Sequence, residues 1–303
     1  MMIDGLYRVL RPLGSGGGGE LVVAFDEVRG RKVAVKLQHL RFSESTRFYS
    51  VLGQRLVNEA TFGQSLADVR GIPAVYDHGK HLDRRYVVME LIDGVTLRDF
   101  ILDCRPVRSE TAVAVVAQLC AILSVVHDRS LVHRDVKPEN IIIKPCGEVL
   151  LLDLGIAVRA GSDITSDEIS GTPGYAPHEQ IRGSGVTARA DIYALGCLLC
   201  EMVTMCLPYT EEQEWNIGKQ EHSASPELIA TLPVELRELV VSMVSRDPLA
   251  RPASTTEVLD RLASLLPAPG SPRDPKAPRP DPTAWFRNRP RPSCGAAPGW
   301  SCP

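Results

Sequence analysis

The stretch LVHRDVKPENIII, Leu131–Ile143, followed after a short turn by LLDLGIA, Leu151–Ala157, decides the reading of this chain. An acid (Asp135), a lysine (Lys137), an asparagine (Asn140) and a second acid (Asp153) fall there at fixed spacing around apolar β-type runs. Asp135 can accept the proton of an incoming hydroxyl, and Lys137 can neutralise charge on a transferring phosphoryl group. Asn140 and Asp153 supply the hard oxygens that magnesium prefers. A polar loop before a hairpin would explain why such residues are exposed, but not why they come in this order. NIIIK and EVLLLD, flanking the turn Pro145–Gly147, read as that hairpin.

Towards the N-terminus, LGSGGGGELVVA (Leu13–Ala24) places Gly14, Gly16 and Gly19 in a GxGxxG pattern between two β-type runs. A dinucleotide-binding fingerprint needs a helix directly after the glycines, and here a strand follows. A glycine-rich hairpin can cover phosphates because its bare backbone N–H groups approach oxygens closely, yet a turn in a sheet reads equally well. One strand further on, VAVK (Val33–Lys36) ends in a lysine that reaches phosphates only if a carboxylate holds its stem. Glu59 is the candidate, inside a helix expected over Glu44–Leu66 with Ser43 as its cap; Glu44 is the rival, better placed for the helix dipole.

Together these segments resemble a eukaryotic-type (Hanks-type) serine/threonine protein kinase of the bacterial branch, over roughly Tyr7–Leu265. The resemblance implies an α+β, two-lobed fold: a β-rich N-lobe over 1–91, a mainly helical C-lobe over 92–266, and transfer of the γ-phosphoryl group of ATP, with Mg²⁺, to Ser/Thr hydroxyls of protein substrates. It assigns catalysis to Asp135, Lys137, Lys36 and Glu59, and metal binding to Asn140 and Asp153. Nucleotide binding falls to Leu13, Gly14, Ser15, Gly16, Gly17, Gly18, Gly19, Leu21, Ala34, Lys36, Met89, Glu90 and Leu91, the last three as gatekeeper and hinge. His133, Arg134 and Asp135 match the HRD triplet, and Asp153 opens a DFG variant that reads DLG. Lys137 and the segment GTPGY (Gly171–Tyr175) match the serine/threonine class. Asp191 is the expected brace of the catalytic loop, Arg251 the expected partner of Glu179, and Thr172 the expected substrate-side contact.

Three departures stand out. YAPHEQ replaces the usual APE segment, with His178 at the proline position beside Glu179. Gly63 stands where a bulky apolar residue is usual, which leaves that column underfilled unless Phe62 enters it. Ser162, Thr165, Ser166 and Ser170 crowd the segment between Asp153 and Glu179; a phosphate on Thr165 or Ser166 could pair with Arg134 and Arg159, although small hydroxyl residues also suit loops. Glu139, beside the catalytic loop, hints at a preference for a basic residue upstream of the target hydroxyl. The family further implies transient pairing of two copies for autophosphorylation in trans.

The rest of the chain narrows the alternatives. It has 303 residues, 44% of them hydrophobic, and a net charge of -3, which provides no general attraction to nucleic acid. Apolar residues at Val113, Val116, Ala117, Cys120 and Leu123 mark a buried helix over Ser109–His127, and no stretch is read as a membrane span. Cys197 and Cys200 sit in the apolar run ALGCLLCEMV and read as core rather than zinc ligands, and the eight cysteines suggest free thiols in the cytoplasm. Residues 267–303, rich in proline and with six basic residues against two aspartates, read as a disordered tail and solvated spacer. A pseudokinase would keep the fold and lose transfer, which the intact Lys36, Asp135, Asn140 and Asp153 oppose. A small-molecule kinase would lack the GTPGY segment.

Overall fold

The computed structural model describes residues 1–16, 19–39, 46–161, 171–183, 185–209 and 224–288. Its N-terminal half is a six-stranded antiparallel sheet: β1 (Met2–Ile3), β2 (Tyr7–Gly16), β3 (Gly19–Asp26), β4 (Arg31–Leu37), β5 (Val75–His81) and β6 (Arg84–Glu90), in the order β1-β2-β3-β4-β6-β5. Alternation in β4 sends Val33, Val35 and Leu37 into the core with Tyr7, Tyr86 and Val88. Lys36 therefore faces the other way, opposite Leu21 on β3 and Val87 on β6.

Helix α1 (Thr46–Ser65) lies against that second face. Leu52, Leu56 and Ala60 recur at helical spacing and are buried, the last two with Val87, so the same stripe fixes the azimuth of Glu59. The helix expected over Glu44–Leu66 is present; Ser43 and Glu44 lie outside the described residues.

The second half is mainly helical and is built on α3 (Ser109–Asp128), buried on nearly every side among α2 (Leu97–Cys104), α5 (Arg189–Thr204) and the helices Val234–Met243 and Thr255–Leu262. By length and composition α3 could cross a bilayer, contrary to the sequence reading, but most of it is enclosed by these helices, as a core helix is. Cys197 and Cys200 are buried in α5 within the same core. Among the described residues no group of three or more His, Cys, Asp or Glu side chains is placed to hold a metal.

Short strands complete the second half. The hairpin β9 (Ile141–Ile143) and β10 (Val149–Leu151) pairs Ile143 with Val149 and adds β7 (Val95–Thr96) at its edge, while β8 (Leu131–Val132) pairs with β11 (Val158–Arg159). These pairings place both ends of the polar loop between fixed strands. The two-lobed α+β fold is the observed one.

The tail requires a correction. Residues 267–288 are not a solvated spacer: Phe286 is 5% exposed and joins the core around α3, and Asp281 and Thr283 are buried. Asp274 pairs with Arg108 at 2.6 Å, and Pro282 O accepts from the buried Gln118 Nε2 at 3.1 Å. Proline-rich composition lowers the chain entropy lost on docking, so a few apolar and polar anchors suffice to seat the segment. The stretch 289–303 lies outside the described residues.

Candidate active site

The site is assembled by one buried carboxylate. Asp191, in the first turn of α5, accepts from His133 N–H (2.9 Å), Arg134 N–H (2.8 Å) and the His127 ring (2.8 Å). Burial pushes its carboxyl up, but the His127 ring and the Arg134 N–H outweigh that and hold it below its usual range. Its bonds hold Arg134 at φ 70, a left-handed conformation that costs a non-glycine residue about 1–2 kcal/mol. Gln180 Nε2 donates to Arg134 O at 2.7 Å, so the turned peptide is held from both sides. His133 takes Asp135 N–H on Nδ1 (3.3 Å), which leaves Nε2 as donor to Leu152 O (3.0 Å) and ties the loop to the residue before Asp153.

Four polar side chains converge beyond that turn. Lys137 Nζ and Asn140 Nδ2 each donate to Asp135 Oδ2 at 2.8 Å, and Thr172 Oγ1 donates to Asp135 Oδ1 at 2.8 Å while accepting from Lys137 at the same distance. An acid side chain that accepts from three donors stays aimed at one point. Thr172 thus lies beside Asp135 and Lys137.

Across the cleft, Lys36 Nζ donates to Glu59 Oε2 at 2.7 Å and to Asp153 Oδ2 at 3.0 Å. Burial pulls Lys36 down, but Asp153 and Glu59 more than offset it and keep the ammonium charged well above its usual range. Asp153, held at φ 65 with Gly155 N–H on Oδ1, is opposed by burial yet drawn down to about 2, chiefly by Lys36. Glu59 fares differently: burial pushes it up to about 7, Asp153 adds to the rise, and Lys36 only partly counters them. One lysine shared by two buried acids favours the more exposed one.

These groups line one cleft of about 540 Å³ with Gly14, Ser15, Gly16, Gly19, Leu21 and Met89. Gly17 and Gly18 lie outside the described residues. Leu13, Ala34, Glu90 and Leu91 are carried on or beside the same strands but do not line the cleft; Ala34 is buried against Met89 of β6, and Glu90 bonds Ala74 through both its N–H and its carboxylate. The glycines divide into two kinds. A Cβ on Gly19 (φ 138) would strike Leu37 O at 2.2 Å, so the fold demands that glycine; at Gly14 and Gly16 a Cβ would meet nothing. Packing within the fold does not require glycine at either position.

The chain matches the family model described as protein kinase domain over residues 7–261. It is 30% identical to the serine/threonine-protein kinase PrkC of Bacillus subtilis over 82% of this chain and 39% of PrkC. It is 33% identical to PknL of Mycobacterium tuberculosis over 88% of this chain and 68% of PknL, and 33% identical to pkn2 of Myxococcus xanthus over 87% of this chain and 33% of pkn2. This chain belongs to the protein kinase family, in its bacterial serine/threonine branch. The kinase thus spans well under half of the length of PrkC and of pkn2.

In the kinase two departures read differently once packed. Gly63 lines the cleft but is crowded on its Cβ side: a Cβ there would meet Val75 Cγ2 of β5 at 2.4 Å, while Phe62 packs on the helical core. His178 stands next to Glu179, whose buried ion pair with Arg251 (2.6 Å) is formed as expected. Glu139, half-exposed at the cleft, is bonded by Arg98 at 2.8 Å, which also bonds Glu201 at 2.6 Å and donates to Tyr175 Oη at 3.0 Å. Arg98, His127 and Gln180 went unread in the sequence. Each acts across at least 41 residues of chain, so no local pattern announces it.

Proposed function

We propose that this kinase uses Mg-ATP as its phosphoryl donor, acts on Ser/Thr hydroxyls of proteins in the cytoplasm, and phosphorylates its own activation loop in trans between two transiently paired copies. The observation that carries the reading is the ring of Lys137, Asn140 and Thr172 around Asp135, in the same cleft as the Lys36–Asp153 pair.

The residues fit a nucleotide with its metal. Gly14 and Gly16 leave the hairpin bare where phosphates would lie. Asp153 is ionised at neutral pH, and Asn140, with its Nδ2 committed to Asp135, keeps Oδ1 as an acceptor, a hard-oxygen set suited to Mg²⁺. Bound Mg-ATP would supply the phosphoryl group and screen its charge. Lys36 would orient its phosphates while Glu59 keeps that ammonium in place. Asp135 takes the proton of the substrate hydroxyl as the oxygen bonds to phosphorus and the bond to the ADP oxygen breaks; Lys137 faces the charge that develops.

Autophosphorylation is supported by a cavity of about 240 Å³ between α1 and the start of the activation segment, lined by Arg55 and Arg134. A phosphate seated there would meet two guanidinium groups. Ser162, Thr165, Ser166 and Ser170, the candidate acceptors, lie outside the described residues. The six cysteines among the described residues are free thiols, in keeping with a reducing compartment.

The test is transfer of labelled phosphate from Mg-ATP to the chain and to a generic basic protein, with Asp135→Asn alongside. Label on serine or threonine that falls by about 10²–10⁴-fold in the variant supports the reading. Nucleotide binding without any label would make the chain a binding module instead.

A further inference from the structure

Helix α1 delivers Glu59 to Lys36, yet its C-terminal end belongs to the other lobe. The loop after it, residues 66–74, buries Leu66, Val69 and Ile72 in the core around α3. Gly71 O accepts from Leu151 N at 2.8 Å, two residues before Asp153. Arg129, at the end of α3, donates to Ser65 O at 2.6 Å and holds Asp68 with both nitrogens. The position of Glu59 is therefore set partly by how firmly this loop is held against the C-lobe.

The C-terminal segment holds it from the outside. The Arg70 guanidinium carbon sits 4.0 Å above the centre of the Trp285 ring, and Arg70 Nε bonds Glu148 at 2.7 Å beside the β9–β10 turn. Trp285 is itself seated by its neighbours: Phe286 enters the core, and Arg287 pairs with the buried Asp281. Asp281 O in turn lies so close to Gly147 that a Cβ there would meet it at 2.1 Å, and Gln118 Nε2 bonds both Gly147 O (3.0 Å) and Pro282 O (3.1 Å). The segment thus closes over the turn and presents one ring to one arginine of the loop.

We propose that Trp285 is a positioning residue for phosphoryl transfer: stacked on Arg70, it clamps the α1–β5 loop to the C-lobe and so favours engagement of Glu59 with Lys36. The inference rests on the reading of Lys36 and Glu59 as parts of the transfer machinery. A cation held over an indole face at a half-exposed site contributes enough to shift a two-state equilibrium by about three-fold to five-fold.

The experiment is steady-state kinetics on a Ser-containing peptide at saturating Mg-ATP, with unfolding measured in parallel. Trp285→Ala is expected to lower kcat by about three-fold to five-fold with KM for the peptide unchanged, and Trp285→Phe, which keeps an aromatic face, to restore most of it. In a Glu59→Gln background, Trp285→Ala should cost nothing more, because the clamp acts only through Glu59. Unchanged kcat in Trp285→Ala, or a loss that adds in full to that of Glu59→Gln, overturns the proposal and leaves the segment a structural cover. An inactive wild-type chain would instead overturn the transfer reading beneath it.

Discussion

Arg251 grips Glu179 with both arms of its guanidinium, Nη1 2.6 Å from Oε1 and Nη2 3.1 Å from Oε2, and both side chains are buried. The pair ties the end of the activation segment to the loop before helix Thr255–Leu262 and survives the substitution of His178 at the neighbouring position. Removing one partner strands the other charge in the interior. Arg251→Ala should therefore cost about 3–5 kcal/mol of unfolding free energy, whereas replacing both residues by apolar ones of similar volume should cost far less. Urea unfolding of the single and double variants separates the two.

Glu59 gives the kinase a pH signature. Its carboxyl rises from 4.5 to about 7 on folding, so the folded state holds that proton more tightly than the unfolded chain. The stabilisation is complete below pH 4.5 and is lost as pH rises through about 7, while engagement with Lys36 requires the ionised form. Activity should climb through about pH 7 as stability declines, and Glu59→Gln should abolish both trends. Unfolding and kcat/KM profiles between pH 5 and 8 check the pair of slopes. Asp153 has the opposite sign: drawn from 3.8 to about 2, it stabilises the fold above that range and loses its contribution only as pH falls through about 2.

Gly63 is crowded on its Cβ side. Its Cβ position lies 2.4 Å from Val75 Cγ2, so Gly63→Leu should overpack the contact between α1 and β5 and destabilise by about 1–3 kcal/mol instead of filling a hole. Val75→Ala in the same chain should return part of that loss. Thermal unfolding of the two single variants and the double variant measures the coupling.

Arg98 sets the charge next to the catalytic loop. It bonds both Glu139 and Glu201, so it competes with a substrate cation for these carboxylates. Arg98→Ala should raise kcat/KM for peptides with arginine upstream of the serine by roughly ten-fold relative to those without it, the worth of one charge-assisted bond. A peptide array with arginine stepped through the upstream positions reads the change.

Much of this molecule was legible in short windows of sequence. Asp135, Lys137 and Asn140 lie within six residues, so their chemistry and spacing are local properties, and the alternation of Val33, Val35 and Leu37 already turned Lys36 away from the core. The hairpin that follows the loop, the buried stripe of α3 and the apolar seat of Cys197 and Cys200 were equally local.

Elsewhere the reading failed where a residue's meaning depends on a distant partner. Proline-rich composition suggested a solvated tail, because composition cannot reveal that Gly147 and Gln118 offer a seat to Asp281 and Pro282. Gly63 suggested an underfilled column, because the sequence does not show that Val75 of β5 crowds its Cβ side.

By itself, then, the sequence determined the class of fold and the polar set Asp135, Lys137, Asn140 and Asp153 that the cleft gathers, since both are written in residue types at fixed short spacing. Only the tertiary structure decided which charges are spent on each other, which glycines face open space and where the C-terminal segment docks. Those outcomes depend on distances of a few ångströms between residues far apart in the chain, and burial, ion pairing and steric exclusion act only once the lobes have packed.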